Sequence, residues 1–227
     1  MASAVILEER VEIPMDLRSL ADFRAWALSD RFPERGRFDY LGGRIEVDMS
    51  PEDLFCHGTL KGEIYAALHE RVKRLDLGHL FTDSTRVSCP EAELSVEPDV
   101  VFVSHDRLES GRVRLVPKAG AGPGRYVELE GPPDLIVEIV SDASVEKDTR
   151  RLPDAYFRAG VAEFWLADAR GSELVFRIHH RGPSGFCAAP VQPGGYQGST
   201  VFGGAFRLDG NRGDRGQWRY DLVHREA

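Results

Sequence analysis

Lysine is nearly missing from this chain. Lys61, Lys73, Lys118 and Lys147 are the only four in 227 residues, so the 29 basic residues are almost all arginine. Chemistry that needs an ammonium to hold or move a proton therefore has few candidates, because arginine stays charged. Cysteine is equally sparse. Cys56, Cys89 and Cys187 are an odd number and lie far apart, which fits neither a disulfide framework nor a zinc module and predicts reduced thiols in a cytoplasmic protein. No apolar run approaches the roughly 18 residues needed to cross a bilayer. No basic start with an apolar stretch behind it is visible in residues 1–11, so neither a secretory signal nor a membrane partner is expected. Finally, positive charge is in deficit. The net charge of −8 excludes a general nucleic-acid coat protein, though not an enzyme with a local basic groove.

What remains is an ordinary globular composition, 42% hydrophobic and 29% charged, in a length that suits one domain with additions. Residues 1–15 read as a loose N-terminus, 16–208 as a single α/β domain around a mixed sheet flanked by helices, and 209–227 as a polar C-terminal tail. Leu17, Leu20, Phe23, Trp26 and Ala27 recur at helical spacing within 16–29, with Asp16 as the expected N-cap. Phe38 and Tyr40, then Ile45, Val47 and Met49, alternate around Gly42-Gly43 and predict a β-hairpin over 37–49. Leu60, Ile64, Ala67, Leu68 and Val72 form one stripe of a long helix over 52–75. Strands are expected at 80–88, 96–103, 134–140, 164–167, 174–179 and 200–208. A helix is expected at 148–159, where Pro153 either kinks it or marks its first turn. Residues 106–130 are rich in glycine and read as either a hairpin excursion or a flap.

The chemistry concentrates in two acidic strands. In Val96-Glu97-Pro98-Asp99-Val100 the two acids share one face by the two-residue period of a strand. In Asp134-Leu135-Ile136-Val137-Glu138-Ile139-Val140 a single glutamate sits in an apolar run, which is costly unless it is paired or binds a cation. Carboxylates from neighbouring strands are hard oxygen ligands suited to Mg²⁺ or Mn²⁺. The same pattern fits a Glu138 paired with a buried arginine, or one lying at a strand end in solvent.

Three segments in order, Pro98-Asp99, then Pro133-Asp134-Leu135-Ile136-Val137-Glu138-Ile139-Val140-Ser141, then Tyr156-Phe157-Arg158-Ala159-Gly160-Val161-Ala162-Glu163-Phe164-Trp165, resemble the Uma family of restriction endonucleases within the PD-(D/E)xK nuclease superfamily. The Tyr40-Leu41-Gly42-Gly43-Arg44-Ile45-Glu46 stretch, followed by Met49-Ser50-Pro51 and His57, resembles the family's first hairpin and long helix. The resemblance runs from about residue 22 to about 208.

It implies a restriction-endonuclease-like core with an N-terminal helix and hairpin. The implied activity is metal-dependent endonucleolytic hydrolysis of DNA phosphodiester bonds through a metal-activated water. The implied metal is Mg²⁺, with Mn²⁺ as the alternative, held by Asp99, Glu138 and the backbone carbonyl of Ile139. The usual lysine two residues after the glutamate is Val140 here, and its shifted position four residues before the tyrosine is Leu152. Lys147, the one lysine between Glu138 and Tyr156, is the substitute. Glu46 and His57 are supporting candidates, and Arg150 and Arg151 could offer positive charge to a phosphate. Arg35, Arg37, Arg44, Arg150 and Arg151 would then form one basic groove. Superfamily members often cut duplex DNA as homodimers. The displaced lysine and the acidity leave open a catalytically silent scaffold that keeps the core and binds metal or nucleic acid.

Overall fold

In the computed structural model, residues 11–226 are described. The loose start expected for residues 1–15 therefore lies mostly outside the described residues, and 11–15 carry no helix or strand. Helix α1 (Leu20–Ala27) is shorter than its apolar spacing suggested and is capped by Ser19, not Asp16: the Ser19 hydroxyl accepts from the Asp22 amide. Its Phe23 and Trp26 pack with Phe32, Phe38 and Tyr40 in an aromatic cluster. Phe38 and Tyr40 belong to β1 (Arg37–Leu41), which forms the expected hairpin with β2 (Arg44–Asp48). Because alternate strand residues face opposite ways, anchoring those two rings turns Arg37 and Asp39 toward the other side.

The next helical run starts as a π-helical turn at Leu54–Thr59, capped by the Asp53 carboxylate, and continues as α2 (Leu60–Leu75). The strand expected at 80–88 is two strands, β3 (Gly78–Thr82) and β4 (Arg86–Cys89). Asp83 and Ser84 between them take positive φ, which turns the chain. The strand expected at 96–103 is likewise divided into β5 (Leu94–Val96) and β6 (Val100–Ser104). Pro98 has no N–H to donate to a ladder, and the chain crosses there from one sheet to the other.

Residues 106–130 resolve the alternatives as a hairpin. After a short α3 (His105–Glu109), β7 (Arg114–Pro117) pairs with β8 (Tyr126–Glu130). Strand β9 (Leu135–Ile139) follows, then a π-helical turn at Lys147–Arg151 leading into α4 (Leu152–Ala159), with Pro153 in its first turn and Gly160 closing it at φ 92°. Then come β10 (Glu163–Asp168), β11 (Val175–Arg181), β12 (Phe186–Ala188), β13 (Gln197–Gly198), β14 (Ala205–Arg212) and β15 (Trp218–Arg225).

The fold class is the α/β one expected, but it holds two six-stranded mixed sheets instead of one. Their orders are β2-β1-β5-β4-β8-β7 and β12-β11-β10-β9-β6-β3, beside a three-stranded β13-β14-β15 sheet. One core, with Trp165, Leu135, Val137 and Ile64, lies under α2. The other, with Ile136, Val101, Phe164 and Tyr156, lies under α4. Each such fully buried large side chain contributes roughly 1.5–3 kcal/mol.

Two expectations near the C-terminus need correction. Residues 199–204 are a turn held by the buried Glu163 carboxylate, which accepts from Ser199 and Thr200, and the strand begins only at Ala205. The polar tail expected at 209–227 is most of an antiparallel hairpin, paired from Ala205↔Arg225 to Arg212↔Trp218. Only one face of it is apolar, with Leu208 and Leu222 buried, so its average composition reads as polar although its alternation is that of a strand.

Candidate metal centre at the seam between the sheets

The two crossings between sheets, at Asp83–Thr85 and Glu97–Asp99, lie at the same end of the molecule. A cleft of about 750 Å³ opens there, lined among others by Arg37, Asp48, Glu52, His57, Ser84 and Glu97. A second opening of about 590 Å³, lined by Arg37, Asp39, Glu46, Lys147 and Arg151, adjoins it.

Asp99 and Glu138 come together beneath this floor. On β9, Leu135, Val137 and Ile139 face the α2 core, so Ile136 and Glu138 face the α4 side. Just ahead of β6, the same alternation places Asp99 on the side of Val101 and Val103. Both carboxylates are almost fully buried, at 1% and 2% exposure. Asp99 accepts from the Ile139 amide at 2.7 Å and from Arg37 Nη2 at 2.9 Å, and His57 Nε2 lies 3.4 Å away. Glu138 accepts from the Tyr156 hydroxyl.

Two more buried acids complete the cluster. Asp39 is paired with Lys147 and accepts from the Glu97 amide at 3.0 Å. Asp148 accepts from Ser144, and its other oxygen, Oδ1, is buried without a hydrogen-bond donor. Four buried carboxylates thus face two permanent cations, Arg37 and Lys147, and one histidine.

The protonation equilibria follow from this imbalance. Burial, then the charges of Asp99 and Asp148, push the Glu138 carboxyl well above the usual range. Burial acts on Asp99 in the same direction, but His57 and Arg37 overcome it and hold that carboxyl far below the usual range. Asp148 is pushed up to about 6, mainly by burial and against the Ser144 hydrogen bond. Burial disfavours the charged forms of Arg37, Lys147 and His57, yet the neighbouring carboxylates raise all three. An added divalent cation fits such a site. It would supply positive charge beside a Glu138 carboxyl that burial and its acidic neighbours push upward, and the donors are hard oxygens. Glu52, His57 and Asp99 also place one ligand atom each within 4.8 Å of one another, and His57 Nδ1 is buried without a hydrogen-bond partner.

The other residues singled out in the sequence divide between the cluster and its surroundings. Lys147 and His57 are in the cluster. The Ile139 amide is tied to Asp99. Glu46 stands opposite Asp39 on the hairpin and is paired with Arg151 at the second opening. Arg150 is exposed and lines neither opening. The single basic groove does not form from all five arginines: Arg35 and Arg37 line the larger cleft, Arg151 the smaller, and Arg44 neither. Glu97 does not share a strand face with Asp99; it pairs with the buried Arg86. Asp134 holds the Ser104 amide and Arg107. Leu152, where the resemblance led one to look for a lysine, is packed in the α4 core.

Sequence reasoning missed five participants: Arg37 as a direct partner of Asp99, Glu52, Asp39, Asp148 and the Tyr156 hydroxyl. The available signals were the parity of Arg37 and Asp39 opposite Phe38 and Tyr40, and an acid beside the lone lysine at 147.

No curated protein matches the chain. Among solved structures, the crystal structure of a "putative nuclease belonging to DUF820" from Anabaena variabilis is 16% identical, with a TM-score of 0.50, and the match covers 72% of this chain and 84% of that one. This likeness is one of fold. No helix among the described residues is long and apolar enough to cross a membrane. Residues 20–197 match the Uma2 family, described as "Putative restriction endonuclease", and with most of its length inside that match the chain belongs to this family.

Proposed function

We propose that the chain is a divalent-metal-dependent nuclease that hydrolyses DNA phosphodiester bonds at the seam between its two sheets. The observation that carries this reading is the pair of buried carboxylates, Asp99 and Glu138, on adjacent strands under an open polar cleft, with Glu138 driven to hold a proton where no added cation offsets its neighbours. Asp99, Glu138 and the carbonyl of Ile139 would hold Mg²⁺ or Mn²⁺. A bound ion would polarise the scissile phosphate and lower the pKa of the attacking water.

The chain's own residues do the rest. Lys147, seated on Asp39 and within reach of the Glu138 charge, orients the water. Arg37 faces both openings and offers fixed positive charge to a phosphate. Tyr156 donates to Glu138 and favours its ionised form. One such site cuts one strand, so cleavage of a duplex calls for two copies of the chain.

A second reading rests on Arg37. Its guanidinium already occupies Asp99, as a structural cation would in a silent scaffold. Calorimetric titration with Mn²⁺, run on the wild type and on Glu138→Ala beside a plasmid-nicking assay, separates the two. The nuclease reading expects metal binding and metal-dependent nicking, both lost in the variant. Folded wild-type protein that neither binds Mn²⁺ nor nicks DNA overturns it.

A further inference from the structure

The β14–β15 hairpin, at 205–225, lies beyond the family match, which ends at residue 197. Its inner face begins in the core, where Leu208 and Leu222 are buried, and continues outward through Tyr220 and Trp218, which are only partly covered. Gly210 stands opposite Tyr220, and a Cβ there would meet Leu174 at 2.8 Å and Trp218 at 3.4 Å. The missing side chain lets the two rings lie flat along the strand, stacked with centroids 6.0 Å apart and planes 15° from parallel. Arg212, paired opposite Trp218, lies over its ring at 5.0 Å.

The two ends of the hairpin differ in charge. Near the core the arginines have side-chain partners: Arg207 is ion-paired with Asp209, and Arg225 donates to the Gln192 amide oxygen. At the tip, Asp214 is the one acid between Arg212 and Arg219, with Asp221 two residues further along β15, and none of Arg212, Arg215 and Arg219 has an ion-pair partner among the described residues. Three exposed, unneutralised arginines in a chain of net charge −8 form a local exception. The tip also adjoins the cleft. Strand β15 packs on the π-helical turn at Leu54–Thr59. The charge of Arg212 acts on Cys56, and Tyr220 feels both Cys56 and Asp53, two residues that line the cleft.

We propose that this hairpin is a strand guide: Arg212, Arg215 and Arg219 hold phosphates of the DNA strand entering the cleft, and Trp218 stacks on an unpaired base. The inference rests on the nuclease reading for its ligand and adds a preference for single-stranded or locally opened DNA, because an aromatic platform rewards a base whose face is free. Cations on the hairpin's edge supply the sequence-independent part of the affinity.

The test is fluorescence anisotropy with a fluorescein-labelled oligothymidylate of about 20 nucleotides and a duplex of the same length, with calcium replacing magnesium. It compares wild type, Arg212→Ala/Arg215→Ala/Arg219→Ala, Trp218→Leu and Glu138→Ala. The expected result is tighter binding of the single strand by wild type. The triple variant should be weakened at least about tenfold, with a log–log salt slope shallower by about two to three. Tryptophan quenching on binding should be lost in Trp218→Leu, and all variants should keep the wild-type circular dichroism.

Wild-type affinity in the triple variant overturns the strand guide and leaves the nuclease reading intact. A triple variant that changes sedimentation instead of DNA binding makes the tip a contact between copies, which also overturns it. Wild-type protein that binds neither DNA but still binds Mn²⁺ at Glu138 overturns the strand guide and removes the DNA substrate from the proposed function.

Discussion

The Ile139 amide donates to Asp99 Oδ2 at 2.7 Å, so the carboxylate that follows Pro98 is tied to the residue beside Glu138. One hydrogen bond thereby fixes the spacing of the two acids. Arg37 holds the other oxygen of Asp99. Asp99→Ala leaves the half-buried Arg37 charge and the Ile139 amide without their partner, with an expected loss of about 3–5 kcal/mol. Asp99→Asn keeps an acceptor for the amide, should fold with a smaller loss, and should no longer bind Mn²⁺. Thermal unfolding beside calorimetry checks both statements.

In the proposed metal site, Arg37 and a divalent ion would be rivals for Asp99. Arg37→Gln is therefore expected to tighten Mn²⁺ binding several-fold in calorimetry while lowering DNA nicking, since the charge offered to phosphate is gone. Weaker Mn²⁺ binding in Arg37→Gln would mean that the guanidinium organises the site instead of competing for it.

Lys147 and Asp39 form a pair in which each buried charge depends on the other. Lys147→Met should cost about 3 kcal/mol by stranding the Asp39 carboxylate. Adding Asp39→Asn should restore most of that stability in urea unfolding. Nicking should stay low in the double variant if the ammonium acts on water; recovered nicking would reduce Lys147 to a structural counter-ion.

The Asp148 carboxyl, normally near 3.8, is pushed up to about 6 in the fold. Between those two values the folded chain holds more proton than the unfolded one, so the stability of the metal-free protein falls as pH rises through this window and levels off above about 6. Asp148→Asn removes this contribution. The variant is expected to be more stable than wild type at pH 8 by up to about 3 kcal/mol, with the gap closing toward pH 4. Melting curves across that range give the answer.

The Tyr156 hydroxyl favours ionised Glu138. Tyr156→Phe should cost about 1 kcal/mol and weaken Mn²⁺ binding, because losing the hydroxyl pushes the Glu138 carboxyl up further and a proton then competes better with the ion. That difference should narrow as pH rises. A pH-independent difference in calorimetry would locate the effect in packing.

The hairpin over residues 37–48, the helix through Leu75 and the buried glutamate on β9 were legible because each rests on local periodicity: alternation about a Gly-Gly turn, a helical stripe, one acid in an apolar run. The lysine at 147 stood out by scarcity. The division of two continuous strands between two sheets was not legible, because alternation carries on across Pro98 and the Asp83-Ser84 turn, and only pairing partners reveal the change. The C-terminal hairpin escaped because its apolar face is one residue in two and its outward face is rich in arginine and aspartate.

By itself, then, the sequence determined most of the local elements, the family and the burial of Glu138 in an apolar strand, all of which depend on neighbours along the chain. Tertiary structure alone decided that Arg37 and Asp39 join Asp99, Glu138 and Asp148 at one seam. It also decided that Lys147 reaches Asp39 from 108 residues away, and that β15 packs on the Leu54–Thr59 turn whose Cys56 and His57 line the cleft. A carboxylate's charge state depends on whatever is packed within a few ångströms of it, and sequence separation carries no measure of that distance.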